Sequence, residues 1–136
     1  MNVDVRWTGK MSFVGKSGTN HSVVMDTIPD NGGEAAAPSP LEMVLMGLAG
    51  CSGMDVLLIV KKKRIAVSAF EITINAERST EHPKVFTSVN MEYIFEGQDL
   101  KQKSLEDSVR LSVEQYCSVA GMVAKTATIN WQVTIR

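Results

Sequence analysis

Apolar and polar residues alternate through the first part of the chain. Val3, Val5 and Trp7 take turns with Asp4 and Arg6, the period of two that marks a half-buried strand. Met11–Gly15 and His21–Met25 continue the pattern on either side of the turn-forming run Lys16-Ser-Gly-Thr-Asn20. A polar stretch without periodicity follows, punctuated by Asp30-Asn-Gly-Gly33, Pro38 and Pro40. It ends at Ser39-Pro-Leu-Glu42, a capping box with proline at the first helical position. From there apolar residues occupy nearly every helical face up to the basic run Lys61-Lys-Lys-Arg64. The pattern predicts a helix from Pro40 to Lys63, buried on all sides, with the basic run suited to the negative end of its dipole. Such a helix is roughly 36 Å long, more than a small domain wraps alone, so a partner subunit is expected.

Beyond the basic run the period of two returns. Phe70–Asn75 and Val85–Phe95 read as strands joined by the hairpin connection Ser79-Thr-Glu-His-Pro83. In the second of them Val85, Thr87, Val89, Met91, Tyr93 and Phe95 are expected to point one way. Ser104, with Asp107 three positions on, reads as the cap of a second helix. Leu105, Val109, Val113, Tyr116, Cys117 and Ala120 share the apolar side of that helix, which loosens at Gly121. A last strand, Thr128–Arg136, places Ile129, Trp131, Val133 and Ile135 on one face. Meandering strands with helices gathered on one side make this an α+β fold, a single domain over residues 1–136.

Composition narrows the partners. The hydrophobic fraction of 44% and charged fraction of 21% are ordinary for a folded soluble protein. A net charge of -1 gives nucleic acid no electrostatic footing. The stretch 41–60 approaches the length of a membrane span, but Glu42, Asp55, Gly47, Gly50 and Gly53 lie inside it. It is expected to be a core helix, with no membrane partner. The N-terminus shows no secretory pattern, and two cysteines do not make a disulfide scaffold, so a cytoplasmic setting is expected.

The chemistry candidates are few. Cys51 lies mid-helix in the longest apolar stretch, flanked by Gly50 and Gly53, with Gly47 one turn earlier. The glycines fit either close approach of another helix or access of a small substrate to the sulfur. Cys117 is the only other cysteine, and a buried thiol is ordinarily an inert small hydrophobe. Glu42 is a candidate acid, base or orienting carboxylate, although capping already accounts for it. Asp55 shares the face of Cys51, where a carboxylate opposes thiolate formation. His21 and His82 with two scattered cysteines show no zinc-ligand spacing, so neither metal nor cofactor is expected. No phosphate-cradling glycine loop is present.

The stretch Ala37-Pro-Ser-Pro-Leu-Glu-Met-Val-Leu-Met-Gly-Leu-Ala-Gly-Cys-Ser52 resembles the signature helix of the OsmC/Ohr family, the osmotically inducible and organic hydroperoxide resistance proteins. Tyr116-Cys-Ser-Val-Ala120 resembles that family's second cysteine site, and the element order fits along nearly the whole chain, most like the YhfA-type branch. The resemblance implies an OsmC-like fold in an intertwined homodimer, with two long helices at its centre, sheets outside and active sites at the interface. It implies that Cys51 attacks a hydroperoxide and that the sulfenic acid condenses with Cys117, an external dithiol reducing the disulfide. The sequence also departs from the family. The catalytic glutamate that follows the proline is Leu41 here, and Glu42 sits about 100° further round the helix. No arginine lies between Arg6 and Arg64 to hold the thiolate, leaving Lys10 or Lys16 as substitutes without a bidentate fork. Ser118 stands where a proline commonly follows the second cysteine. Two readings follow: reduction of organic hydroperoxides or related oxidants by Cys51 and Cys117, or a non-catalytic or weakly catalytic small-molecule-binding or redox-sensing protein that keeps an apolar pocket on the same fold.

Overall fold

A computed structural model describes residues 1–136 and shows a mixed α+β fold with two three-stranded sheets. The chain divides into two units, Met1–Met46 and Gly47–Arg136, the boundary falling inside the long helix.

The first unit holds an antiparallel meander of β1 (Val3–Gly9), β2 (Ser12–Ser17) and β3 (Ser22–Met25). Register pairs Val5 with Gly15, Trp7 with Phe13, Phe13 with Met25 and Gly15 with Val23, which gathers Val3, Val5, Trp7, Phe13, Val23 and Met25 on one face. The alternation expected from the sequence is therefore present. Its half-burial is not: Val3, Val5 and Trp7 stay 68%, 56% and 63% exposed.

Asp26, missed in the sequence, organises the loop that follows. Its carboxylate accepts from the backbone N–H groups of Thr27 at 2.8 Å, Ala36 at 3.0 Å and Glu34 at 3.2 Å. Gly33 packs so tightly there that an added Cβ would lie 2.0 Å from the Thr27 carbonyl oxygen. The Ala36 N–H, then that of Thr27, hold the Asp26 carboxyl below its ordinary value of 3.8. A depressed folded-state pKa stabilises the fold above the unfolded value, and that contribution is lost as pH falls through about 4 toward the folded value. Asp26→Asn is expected to lower the urea midpoint at pH 7 and to flatten its decline below pH 4. Urea titrations between pH 7 and pH 3 check this, and a variant with the wild-type acid slope refutes the role.

The long helix, α1 (Pro40–Lys62), starts as the sequence predicts. Ser39 N–H donates to Glu42 Oε2 at 2.7 Å and Glu42 N–H donates to Ser39 Oγ at 3.3 Å, a reciprocal capping box. Within one chain its burial is one-sided. Leu48, Ser52, Val56 and Val60 form a buried stripe at a spacing of four, but Met54 and Leu58 are 70% and 60% exposed. A single chain covers one side of this helix. By length and composition α1 passes as a membrane span, but its buried stripe packs on a sheet. Gly53 marks the contact: an added Cβ would lie 3.2 Å from Ile72 Cδ1 and 3.6 Å from Phe70 Cε1. The close approach is to a strand rather than to another helix.

That sheet is β4 (Val67–Arg78), β5 (Phe86–Gly97) and β6 (Thr128–Ile135). The hairpin between β4 and β5 is as expected, but β6 pairs with β5 in parallel instead of completing a meander. The helical segment between them supplies the crossover that parallel pairing needs. Val89, Met91, Tyr93 and Phe95 point inward as predicted. Val85 and Thr87 do not, because a register shift at Glu77/Arg78 turns Phe86 into the core in their place.

The crossover segment departs most from expectation. α2 (Gln102–Leu111) starts before Ser104, with Lys101 at its N-cap and no side-chain cap, while Asp107 pairs with Arg110 instead of serving Ser104. Its last turn widens to a π turn over Ser112–Tyr116, and the chain then breaks at Cys117 (φ -69°, ψ 105°) before α3 (Ser118–Val123). One extra residue in that turn shifts the helical phase. Ser112 enters the core, Tyr116 is 60% exposed, and Cys117 lies at a helix junction rather than on a continuous apolar stripe.

Candidate functional site

α1 and the helix junction bring the two cysteines together. Both are free, Cys51 part-buried and Cys117 buried, and Asp55 joins them from the next turn of α1. The two sulfurs and an Asp55 carboxylate oxygen all lie within 4.8 Å of one another. Cys117 caps α3, its Sγ accepting from the Ala120 N–H at 3.3 Å. Burial pushes the Cys117 thiol up to about 11, with the neighbouring Cys51 adding to the rise against the pull of the Ala120 N–H. At neutral pH Cys117 is a thiol.

A buried hydroxyl cluster fixes the two cysteine-bearing segments to each other. Ser52, next to Cys51, has its Oγ 2.6 Å from Tyr93 OH and 2.9 Å from Ser112 Oγ. Ser112 Oγ also donates to the Ser52 carbonyl at 3.1 Å, and the Ser112 carbonyl accepts from the Cys117 N–H at 2.8 Å. Burial raises the Tyr93 phenol to about 12, so it remains a neutral hydrogen-bonding group. The chain of contacts from Ser52 through Ser112 to Cys117 is a direct positional link between the thiols. Sequence reading overlooked it. The available signal was a serine in helical phase with Leu48 and Val56, where an unpaired hydroxyl is costly to bury.

The surroundings of Cys51 are open on one side. A Cβ added at Gly47 or at Gly50 would meet nothing within 4 Å, in contrast to Gly53. Asp55 Oδ2 is buried without a hydrogen-bond partner, and no ion pair engages the residue. The other two candidates belong to the first unit and are held there. Glu42 is engaged by Ser39, whose N–H lowers its pKa first and whose hydroxyl adds to the effect, and Lys10 forms an ion pair with Glu34. Chemically, the second unit offers a thiol pair suited to disulfide exchange beside a carboxylate with a free oxygen.

Known proteins give this arrangement a context. The family model described as OsmC-like protein matches residues 32–132. Protein YhfA of Escherichia coli (strain K12) is 42% identical over 129 residues, spanning 95% of this chain and 93% of its own. A crystal structure of a hypothetical protein from Aquifex aeolicus VF5 superposes with a TM-score of 0.82 at 31% identity, covering 99% of this chain and 96% of that one. The organic hydroperoxide resistance protein OsmC from Legionella pneumophila superposes with a TM-score of 0.72 over 98% of this chain and 97% of its own; at 15% identity this is a likeness of fold alone.

Proposed function

The chain belongs to the OsmC-like protein family, and on that basis we propose that it reduces organic hydroperoxides through Cys51 and Cys117. The observation that carries this reading is the pair of free thiols whose sulfurs lie within 4.8 Å on separate elements. In the proposed cycle the Cys51 thiolate attacks the distal peroxide oxygen and the O–O bond breaks. The alkoxide takes up a proton and leaves as the alcohol, while Cys51 becomes a sulfenic acid. Attack by Cys117 then forms the disulfide and expels the sulfenic oxygen as water, its hydrogens coming from the sulfenic acid and the Cys117 thiol. An external dithiol restores both thiols by two exchanges. The sum is one hydroperoxide and one dithiol giving one alcohol, one water and one disulfide.

Several features support the rest of the assignment. The open side at Gly47 and Gly50 suits an apolar hydroperoxide approaching Cys51. The uncovered faces of β1–β3 and α1 are what a homodimer would bury, so a second copy of this chain is the proposed partner. A free thiol pair suits a cytoplasmic protein. The test is turnover of cumene or tert-butyl hydroperoxide with dithiothreitol, together with the mass of protein given one equivalent of peroxide. Turnover and a mass loss of two hydrogens are expected; absence of turnover by fully reduced protein refutes the peroxidase reading.

A second reading has its own observations. Leu41 stands at the family's glutamate position, and Glu42 and Lys10 are engaged by Ser39 and Glu34. A redox sensor on this fold would form the disulfide stoichiometrically and turn over slowly or not at all. The same pair of measurements separates the two.

A further inference from the structure

The Cys51–Cys117 pair is joined by a carboxylate that thiol–disulfide chemistry leaves without a task. We propose that Cys51, Asp55 and Cys117 form a three-ligand site for a thiophilic divalent cation of the zinc class, independently of whether the pair turns over peroxide. Two thiolates and a carboxylate are donors that zinc accepts, and three protein ligands with an open fourth position is an established zinc arrangement.

Geometry comes first. Zn–S bonds of about 2.3 Å and Zn–O bonds of about 2.0 Å place tetrahedral donors roughly 3.5–3.8 Å apart. The three donor atoms here already lie within 4.8 Å of one another, so shifts of about 1 Å in side-chain positions close the site. Cys51 and Asp55 occupy i and i+4 on α1, a spacing that puts both on one helix face. Cys117 comes from a separate element, at a junction where neither helix constrains its backbone as an interior residue.

Electrostatics point the same way. Asp55 Oδ2 is buried without any hydrogen-bond partner, a costly arrangement that a cation relieves. No lysine or arginine forms an ion pair with Asp55, so the protein supplies no competing counter-charge. Coordination would take both sulfurs as thiolates, so metal binding releases protons. The side at Gly47 and Gly50, open within 4 Å, leaves room for a water or a small ligand near the Cys51 end. Metal binding and disulfide formation then exclude each other, because both use the same two sulfurs.

Cobalt(II) is the probe, added anaerobically to the reduced, metal-free protein. One Co²⁺ per chain is expected, with sulfur-to-cobalt charge-transfer bands and the visible bands of a four-coordinate site. Cys51→Ser should reduce the charge-transfer intensity, and protein carrying the Cys51–Cys117 disulfide should show none. Asp55→Asn keeps the side-chain size and should weaken binding by about tenfold or more. Near-ultraviolet circular dichroism confirms that this variant is folded. Absence of charge-transfer bands while both thiols titrate as reduced overturns the site, and so does unchanged Co²⁺ affinity in folded Asp55→Asn. Peroxide turnover measured on metal-free protein decides the other reading separately.

Discussion

On the proposed cycle, Cys51→Ser is expected to abolish hydroperoxide turnover, lowering kcat by on the order of 10³-fold or more, because a serine hydroxyl cannot replace a thiolate as the attacking group. Cys117→Ser behaves differently. It is expected to consume one equivalent of peroxide and then stall as a sulfenic acid that dimedone traps, since the sulfur proposed to resolve it, within 4.8 Å, is gone. Peroxide loss in a xylenol-orange assay, with intact-protein mass after a single equivalent, distinguishes the variants. Turnover by Cys51→Ser at the wild-type rate places the chemistry elsewhere. The substitution adds no bulk to the open side at Gly50, so lost activity accompanied by unchanged near-ultraviolet circular dichroism reports the chemistry and not a collapsed fold.

Phe95→Ala costs about 3–5 kcal/mol of folding stability, a large share of the roughly 5–15 kcal/mol a domain has. Phe95 is fully buried on β5 and stacks on Phe70, with ring centroids 4.5 Å apart. Phe70 is also one of the side chains an added Cβ on Gly53 would meet, so the cavity opens beneath the part of α1 that carries Cys51. Urea denaturation monitored by circular dichroism measures the loss. Ile135→Ala, at a side chain that is 37% exposed, is the control and costs about 1 kcal/mol or less. Equal losses in the two variants would mean that the stacked pair is not the centre of this core.

What the sequence reveals and what it conceals divide along the range of the interactions. The Ser39–Glu42 cap is readable because both partners lie within one turn, and the inward set Val89, Met91, Tyr93 and Phe95 because alternation is a local property. Cys51 and Cys117 emerged as a pair through resemblance of their surrounding motifs, and the fold brings them together. Asp55 was visible on the face of Cys51 but not as a neighbour of Cys117, since that contact depends on the crossover between β5 and β6. The inward turn of Phe86 follows from a register shift that alternation cannot encode. The apolar faces of α1 and β1–β3 were legible from their patterns, while Val5, Trp7, Met54 and Leu58 stay exposed in the single chain.

The π turn at Ser112–Tyr116 has a consequence in the currency of insertions and deletions. An α-helix advances about 100° per residue, so removing a single codon from that turn would restore regular winding and rotate everything after it by about that angle. Both cysteines would survive in the gene, and the hydrophobic pattern would look more regular than before. The sulfur of Cys117 would nevertheless face away from Cys51. Length across residues 112–116 is thus as much a part of the proposed site as the identity of either thiol.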